Sequence, residues 1–248
     1  DGTVYALAGS VAGRSDDGGA TWSEIASPSE TVSDPWVPWP DFASAEADAI
    51  MVIYLDSSLL SIKRYTPSLN TWAETAIDSG FNSNPNASMI SGTLSATGHV
   101  LAAVVNAAGT VRTFDIFGDS VTERASISGT DGVCVALVRV PDGIICYYVR
   151  GGGIYSRLSR DEMVTWGPES QIIGNRTGAI TNIKADPLPS GPAYVLFQIS
   201  DDVWGVVEDV VTLADGFTYV SDDPPDPDPG GGGEPGGEPG NQSAEREA

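Results

Sequence analysis

The chain has 248 residues, with 34 Asp and Glu against 12 Lys and Arg, and a formal net charge of −22. Such an acidic surface repels nucleic-acid phosphates and anionic membranes, so neither is expected as a partner. No apolar run of 18 residues occurs to span a membrane, while 41% hydrophobic residues are enough for sizeable cores. The chain begins with Asp1 rather than Met, as expected of a processed protein or a piece of something larger, and any secretion signal would lie upstream.

Taken in chain order, residues 2–9 read as one strand, rich in β-branched and aromatic side chains. Next comes Ser15-Asp16-Asp17-Gly18-Gly19-Ala20-Thr21-Trp22, in which each fixed position has a mechanical job. Asp17, and more weakly Ser15, can accept hydrogen bonds from N–H groups inside the turn. Gly19 tolerates positive φ. Thr21 and Trp22 open the next strand, with an indole able to wedge between sheets. The long loop at residues 27–42 carries Trp36 and Trp39 between prolines. The pair is either a stacking platform for sugar rings or a plug over an incomplete first repeat, and the plug ranks first because large aromatics are mostly core.

Asn70-Thr71-Trp72 keeps the Thr-Trp end of the first pattern, and a loop at residues 78–88 follows with Phe81, Asn82, Asn84 and Asn86. Those side chains suit sugar hydroxyls and, equally, turn formation. Gly118-Asp119-Ser120-Val121 is a worn copy without the Trp. Residues 131–173 are the clearest unit: strand 133–140, the turn Pro141-Asp142-Gly143, strand 144–149, Gly151-Gly152-Gly153, strand 154–158, a second copy, and a last strand from Thr165. That copy, Ser159-Arg160-Asp161-Glu162-Met163-Val164-Thr165-Trp166, puts Met163 where Gly19 stands, so a differently shaped turn is predicted. Asp215-Gly216-Phe217-Thr218-Tyr219 ends the series with Tyr. Residues 222–248 hold six Pro and seven Gly, lack bulky apolar side chains and carry a net −7. A linker or solvated tail is predicted over 221–248. Its interleaved prolines keep Asp222, Asp223 and Asp228 from converging on a cation.

Anchors at residues 22, 72, 121, 166 and 219 recur every 45 to 53 residues, with strand-like filling and no helical period. Such a repeat is the signature of propeller blades. The predicted fold is all-β: over residues 1–220, a β-propeller of four-stranded antiparallel blades, about five in number. Only one strand precedes the first anchor, so the first blade is predicted to lack two inner strands. Its unpaired edge needs a partner.

The S-x-D-x-G-x-T-W pattern resembles the Asp box (BNR repeat) of sialidase-like β-propellers, and the resemblance covers residues 1–220. It implies a six-bladed ring whose boxes are structural turns on the face away from the active site. Worn boxes on an acidic, Lys-poor chain with a Pro/Gly tail also resemble phage tail and surface proteins. That likeness implies a virion or cell-surface component within a larger assembly.

The sialidase resemblance further implies three arginines around a substrate carboxylate, a Tyr–Glu pair, an Asp and an early Phe-Arg-Ile-Pro motif. Val138-Arg139-Val140-Pro141 looks like the last, but Pro141 falls at a turn on the box side. No arginine trio is evident and no catalytic residue is assigned. His99, the only histidine, excludes a multi-histidine zinc site and is expected as a solvated turn residue. Cys134 and Cys146 fall out of register on adjacent strands and are expected as buried free thiols. No cofactor or metal is implied. A non-catalytic recognition or structural propeller contacting a glycan or a partner protein leads, with an exo-acting glycoside hydrolase as the alternative. Binding is expected on the face opposite the boxes, through Trp36, Trp39, Phe81, Asn82, Asn86, Arg150 and Arg176. Nearby Asp41, Asp56, Asp131, Asp201 and Asp202 favour neutral sugars or cations over sialic acid.

Overall fold

The computed structural model describes residues 3–8, 11–28, 43–46, 49–56, 58–81, 89–106, 108–174, 178–187, 193–199 and 202–208. The chain divides into two units, Asp1–Gly216 and Phe217–Ala248, and every described residue lies in the first. The tail at 221–248 therefore falls outside the described residues.

Every regular element among the described residues is a β-strand, and each sheet is an antiparallel meander of neighbouring segments. The first joins β1 (Val4–Ala8), β2 (Val11–Ser15) and β3 (Ser23–Ile25); the second joins β4 (Ile50–Asp56), β5 (Leu59–Thr66) and β6 (Thr71–Ser79). In the third, β7 (Ile90–Leu94), β8 (Val100–Val105), β9 (Thr110–Phe117) and β10 (Ser120–Glu123) run in order, and β11 (Ile127–Ser128) pairs further along β9. The fourth has β12 (Val135–Val140), β13 (Gly143–Arg150), β14 (Gly153–Ser159) and β15 (Ser170–Ile173). The fifth has β16 (Ile180–Pro187), β17 (Ala193–Ile199) and β18 (Asp202–Glu208).

Side-chain alternation along a strand turns these sheets into stacked blades. On β12, Val135 and Leu137 enter the core shared with the third sheet, while Ala136, Val138 and Val140 enter the core shared with the fifth. On β13, Ile144, Cys146 and Tyr148 face one way, and Ile145, Tyr147 and Val149 the other. β4 does the same: Met51, Ile53 and Leu55 join the third sheet's core, whereas Val52 and Tyr54 pack on Leu7 and Trp72. A strand sandwiched between two blades must be apolar on both faces, hence the unbroken Val-Leu-Ala-Ala-Val-Val of β8, buried throughout.

Two expectations change. Val11–Ser15 forms a hairpin with β1 in the register Val4↔Ser15, so relative to the fourth blade the first lacks one strand among the described residues, not two. Only two residues separate the paired strands, which hides the hairpin in the sequence. The last strand of the fourth blade starts at Ser170 rather than Thr165, because Thr165 is held by Asp161 inside the turn. The Pro141-Asp142-Gly143 turn is where expected. A Cβ on Gly143, at φ 149°, would lie 2.1 Å from the Ser159 carbonyl oxygen, so the close approach of β14 requires glycine. Cys134 and Cys146 are buried and free, with Cys146 opposite Leu137 and Val135 opposite Tyr148. Burial pushes the Cys134 thiol up to about 12 and raises Cys146 as well.

Candidate functional site

The two full copies of the turn pattern close in the same way. In the first, the Asp17 carboxylate accepts the Thr21 amide at 2.8 Å and the Thr21 hydroxyl at 2.6 Å, and Ser15 Oγ accepts the Gly19 amide at 2.8 Å. In the second, Asp161 accepts the Thr165 amide at 2.9 Å and its hydroxyl at 2.7 Å, and Ser159 Oγ accepts the Met163 amide at 2.8 Å. The expected difference in shape is absent: Glu162 (φ 55°) and Met163 (φ 65°) adopt positive φ just as Gly18 (73°) and Gly19 (98°) do. Met163 is fully buried in the core, and that packing offsets a local strain of roughly 1–3 kcal/mol. The Thr21 hydroxyl and amide, with Ser15, hold the Asp17 carboxyl at about 2, well below its usual range. Asp161 is lowered by the same groups of Thr165.

The indoles of the later blades are wedges between blades. Trp72 Nε1 donates to the Ala26 carbonyl of the first blade at 2.7 Å, and Trp166 Nε1 donates to the Ala125 carbonyl of the third at 2.7 Å. Trp22 instead donates to its own turn at Gly19 (3.0 Å) and stays 48% exposed.

Of the residues expected to bind a ligand, Trp36, Trp39, Asn82, Asn86 and Arg176 lie outside the described residues. Phe81 is not a ligand platform: it is buried in the core against Phe114, under the Arg112 guanidinium. Arg150 is not a free cation either. Its guanidinium grips both Glu169 oxygens (2.8 and 2.7 Å) and the carbonyls of Ser128 and Gly129 (both 2.7 Å). Arginines serve as pins between blades elsewhere too: Arg112 joins Asp78 of the second blade to Glu123 of the third, and Arg139 joins the Leu94 carbonyl to Glu162. Asp131 caps the amides of Gly151 and Gly152 at 2.9 and 3.0 Å.

Arg150 belongs to a Tyr–Glu cluster. The Tyr148 hydroxyl donates to Glu169 at 2.5 Å, Arg157 Nε donates to that hydroxyl at 3.1 Å, and Arg157 reaches Glu169 at 3.7 Å. A phenolate nucleophile needs solvent access and a lowered pKa. Tyr148 has neither, since it is fully buried, and burial together with the Glu169 carboxylate raises its pKa. This cluster is a partly buried brace in which Glu169 holds the Tyr148 hydroxyl between two arginines.

His99 departs from the solvated turn residue expected. Its Nδ1 lies 2.7 Å from Asp115, whose other oxygen accepts from Arg124, and its ring stacks on Phe117 with centroids 4.6 Å apart. Asp115 is nearly buried, whereas Phe117 is 42% exposed. The register Val100↔Ile116 brings residues 99 and 117 together, a proximity that spacing in the sequence does not display. Among the described residues no group of His, Cys, Asp and Glu could hold a metal ion. Cavities of about 130 Å³, beside Arg157 and Arg160, and about 150 Å³, beside Lys184 and Leu196, are both small.

No family model matches the chain, and no curated protein does. Solved structures do. A fungal lectin from Aleuria aurantia, described as a six-bladed β-propeller with a novel fucose recognition mode, is 19% identical with a TM-score of 0.56, over 82% of this chain and 68% of the lectin. The NanB sialidase of Streptococcus pneumoniae is 16% identical with a TM-score of 0.53, over 81% of this chain and 34% of the sialidase. The intramolecular trans-sialidase of Ruminococcus gnavus is 13% identical with a TM-score of 0.50, over 80% of this chain and 49% of the enzyme. At these identities the likeness is one of fold, and the described strands form a β-propeller of the kind that lectins and sialidases share.

Proposed function

We propose that this chain is a non-catalytic recognition propeller that contacts a neutral glycan. The observation that carries the reading is the fold shared with fucose-binding lectins, among them the Aleuria aurantia protein. The Tyr148–Glu169 pair weighs against the hydrolase alternative, because the tyrosine is buried and its raised pKa keeps the phenol protonated. The net charge of −22 disfavours anionic sugars such as sialic acid.

The turns at residues 15–22 and 159–166 are read as Asp boxes, with structural roles. The protein's setting is read as a virion or cell surface, within a larger assembly. Exposed Val4 (39%), Val11 (53%) and Trp22 (48%) on the first blade support a contact there with another chain. The test is a glycan array run beside a set of fluorogenic glycosides. Binding to neutral glycans without fluorophore release is expected; binding to none, or turnover, would overturn the reading.

A further inference from the structure

We propose that Phe117, His99, Asp115 and Arg124 form a saccharide platform on the third blade that takes one neutral pyranose ring. The proposal rests on the glycan-recognition reading and gives it a site.

Three strands converge to build it. His99 enters β8, Asp115 and Phe117 lie on β9, and Arg124 follows β10. The register puts Ser120 opposite Phe117 and Thr122 opposite Asp115, so exposed hydroxyl residues flank the aromatic pair on the same sheet face. The site thus lies towards the turn end of the blade, beside the Gly118-Asp119 connection, and not on the loop face expected from the sequence.

The chemistry matches a sugar's two characters. Phe117 is 42% exposed and is backed by the imidazole at 4.6 Å and 27°, so its orientation is fixed before any ligand arrives. An oriented, half-exposed ring offers a surface for the C–H face of a pyranose. The polar groups supply the other character. Nδ1 is engaged with Asp115, which leaves Nε2, without a partner among the described residues, as a polar atom for a sugar hydroxyl. Arg124 is paired with Asp115 yet its side chain remains 28% exposed, so the guanidinium also faces solvent beside the ring. A ring nitrogen and a guanidinium side by side suit a hydroxyl, which both gives and takes hydrogen bonds. Asp115 balances the Arg124 charge locally, and the strongly acidic protein around the pair disfavours a carboxylate sugar.

Because His99 is the only histidine, its ring Cε1–H signal in NMR reports on the site directly. The full chain is titrated with methyl α-L-fucoside, methyl β-D-galactoside and methyl β-D-glucoside, with saturation transfer read on each sugar. A saturating shift of the His99 signal is expected with at least one of them. Phe117→Ala should weaken that binding about ten-fold or more, while Phe117→Tyr keeps it within about two-fold because the stacking face remains. Circular dichroism checks the fold, and Arg124→Gln, expected to weaken binding as well, serves if Phe117→Ala does not fold. Saturation transfer with an unmoved His99 signal and unaffected variants would overturn this site and leave glycan recognition standing. No saturation transfer from any of the three would overturn the platform as drawn, and silence on the glycan array as well would overturn the function.

Discussion

The turns at residues 15–22 and 159–166 share one hydrogen-bond skeleton and differ in everything around it. In each, a Ser hydroxyl and an Asp carboxylate collect the turn amides and the Thr hydroxyl, at distances that agree within about 0.1 Å. Around that skeleton, the first turn has Gly18 and Gly19 and an indole folded onto itself. The second has Glu162 and Met163 in the same positive-φ region, Met163 buried, and an indole bonded to the neighbouring blade. The Ser, Asp and Thr side chains therefore specify the turn, while the Gly19/Met163 position and the Trp differ with what packs alongside among the described residues. Positive φ at a methionine costs roughly 1–3 kcal/mol, and burying its side chain returns a similar amount.

That balance can be broken from either side. Met163→Gly relieves the backbone but empties core volume, and the core loss of roughly 2–5 kcal/mol is the larger effect. A net destabilisation of about 1–2 kcal/mol in urea unfolding is expected, and a stabilised variant would refute the compensation. Trp166→Ala is expected to lose about 2 kcal/mol, less than a fully buried Trp because the indole is only half-buried. Trp72→Ala should resemble it, since its indole makes the same bond to the preceding blade. Trp22→Ala should cost under about 1 kcal/mol, as its ring touches mainly its own turn and Gly13. Equal losses at Trp22 and Trp166 would contradict the distinction.

How far the sequence revealed all this follows from where each signal sits. The Ser, Asp, Thr and Trp letters of the turn pattern lie within eight consecutive residues and specify local bonds, so both turns were legible. Met163 misled because local φ preference was outweighed by a core drawn from strands far along the chain. The Val4–Ser15 hairpin was missed because a two-residue connection leaves the hydrophobic pattern looking like one strand and a turn. Phe81 and Arg150 read as ligand groups because they fall in or beside loops, yet both are consumed by packing and pairing. The His99 platform spans residues 99 to 124 on separate strands, and only the register assembles it. Its one faint trace was Asp115 among the apolar residues of Thr110–Phe117, a buried carboxylate that needs partners.

Acid gives the smallest test of the same comparison. Both turn carboxyls are held low, Asp17 at about 2, by hydrogen bonds to the ionised form. A depressed pKa contributes stability above the unfolded value of about 3.9 and loses it as pH falls. Amide exchange at Thr21 and Thr165 should therefore speed up as pH drops from about 4 towards 2, once corrected for intrinsic exchange. Asp17→Asn should remove that dependence at Thr21 and leave it at Thr165, and persistence at Thr21 would assign the effect elsewhere.

The most direct test of recognition without chemistry is the mass of the bound sugar. The full chain is incubated with the neutral oligosaccharide that the array ranks highest, and the complex is isolated. The glycan is then eluted and weighed by mass spectrometry. An intact oligosaccharide after prolonged incubation is the expected result. A product shorter by one terminal residue, formed in proportion to protein and time, would contradict the account and make this propeller an exo-acting hydrolase.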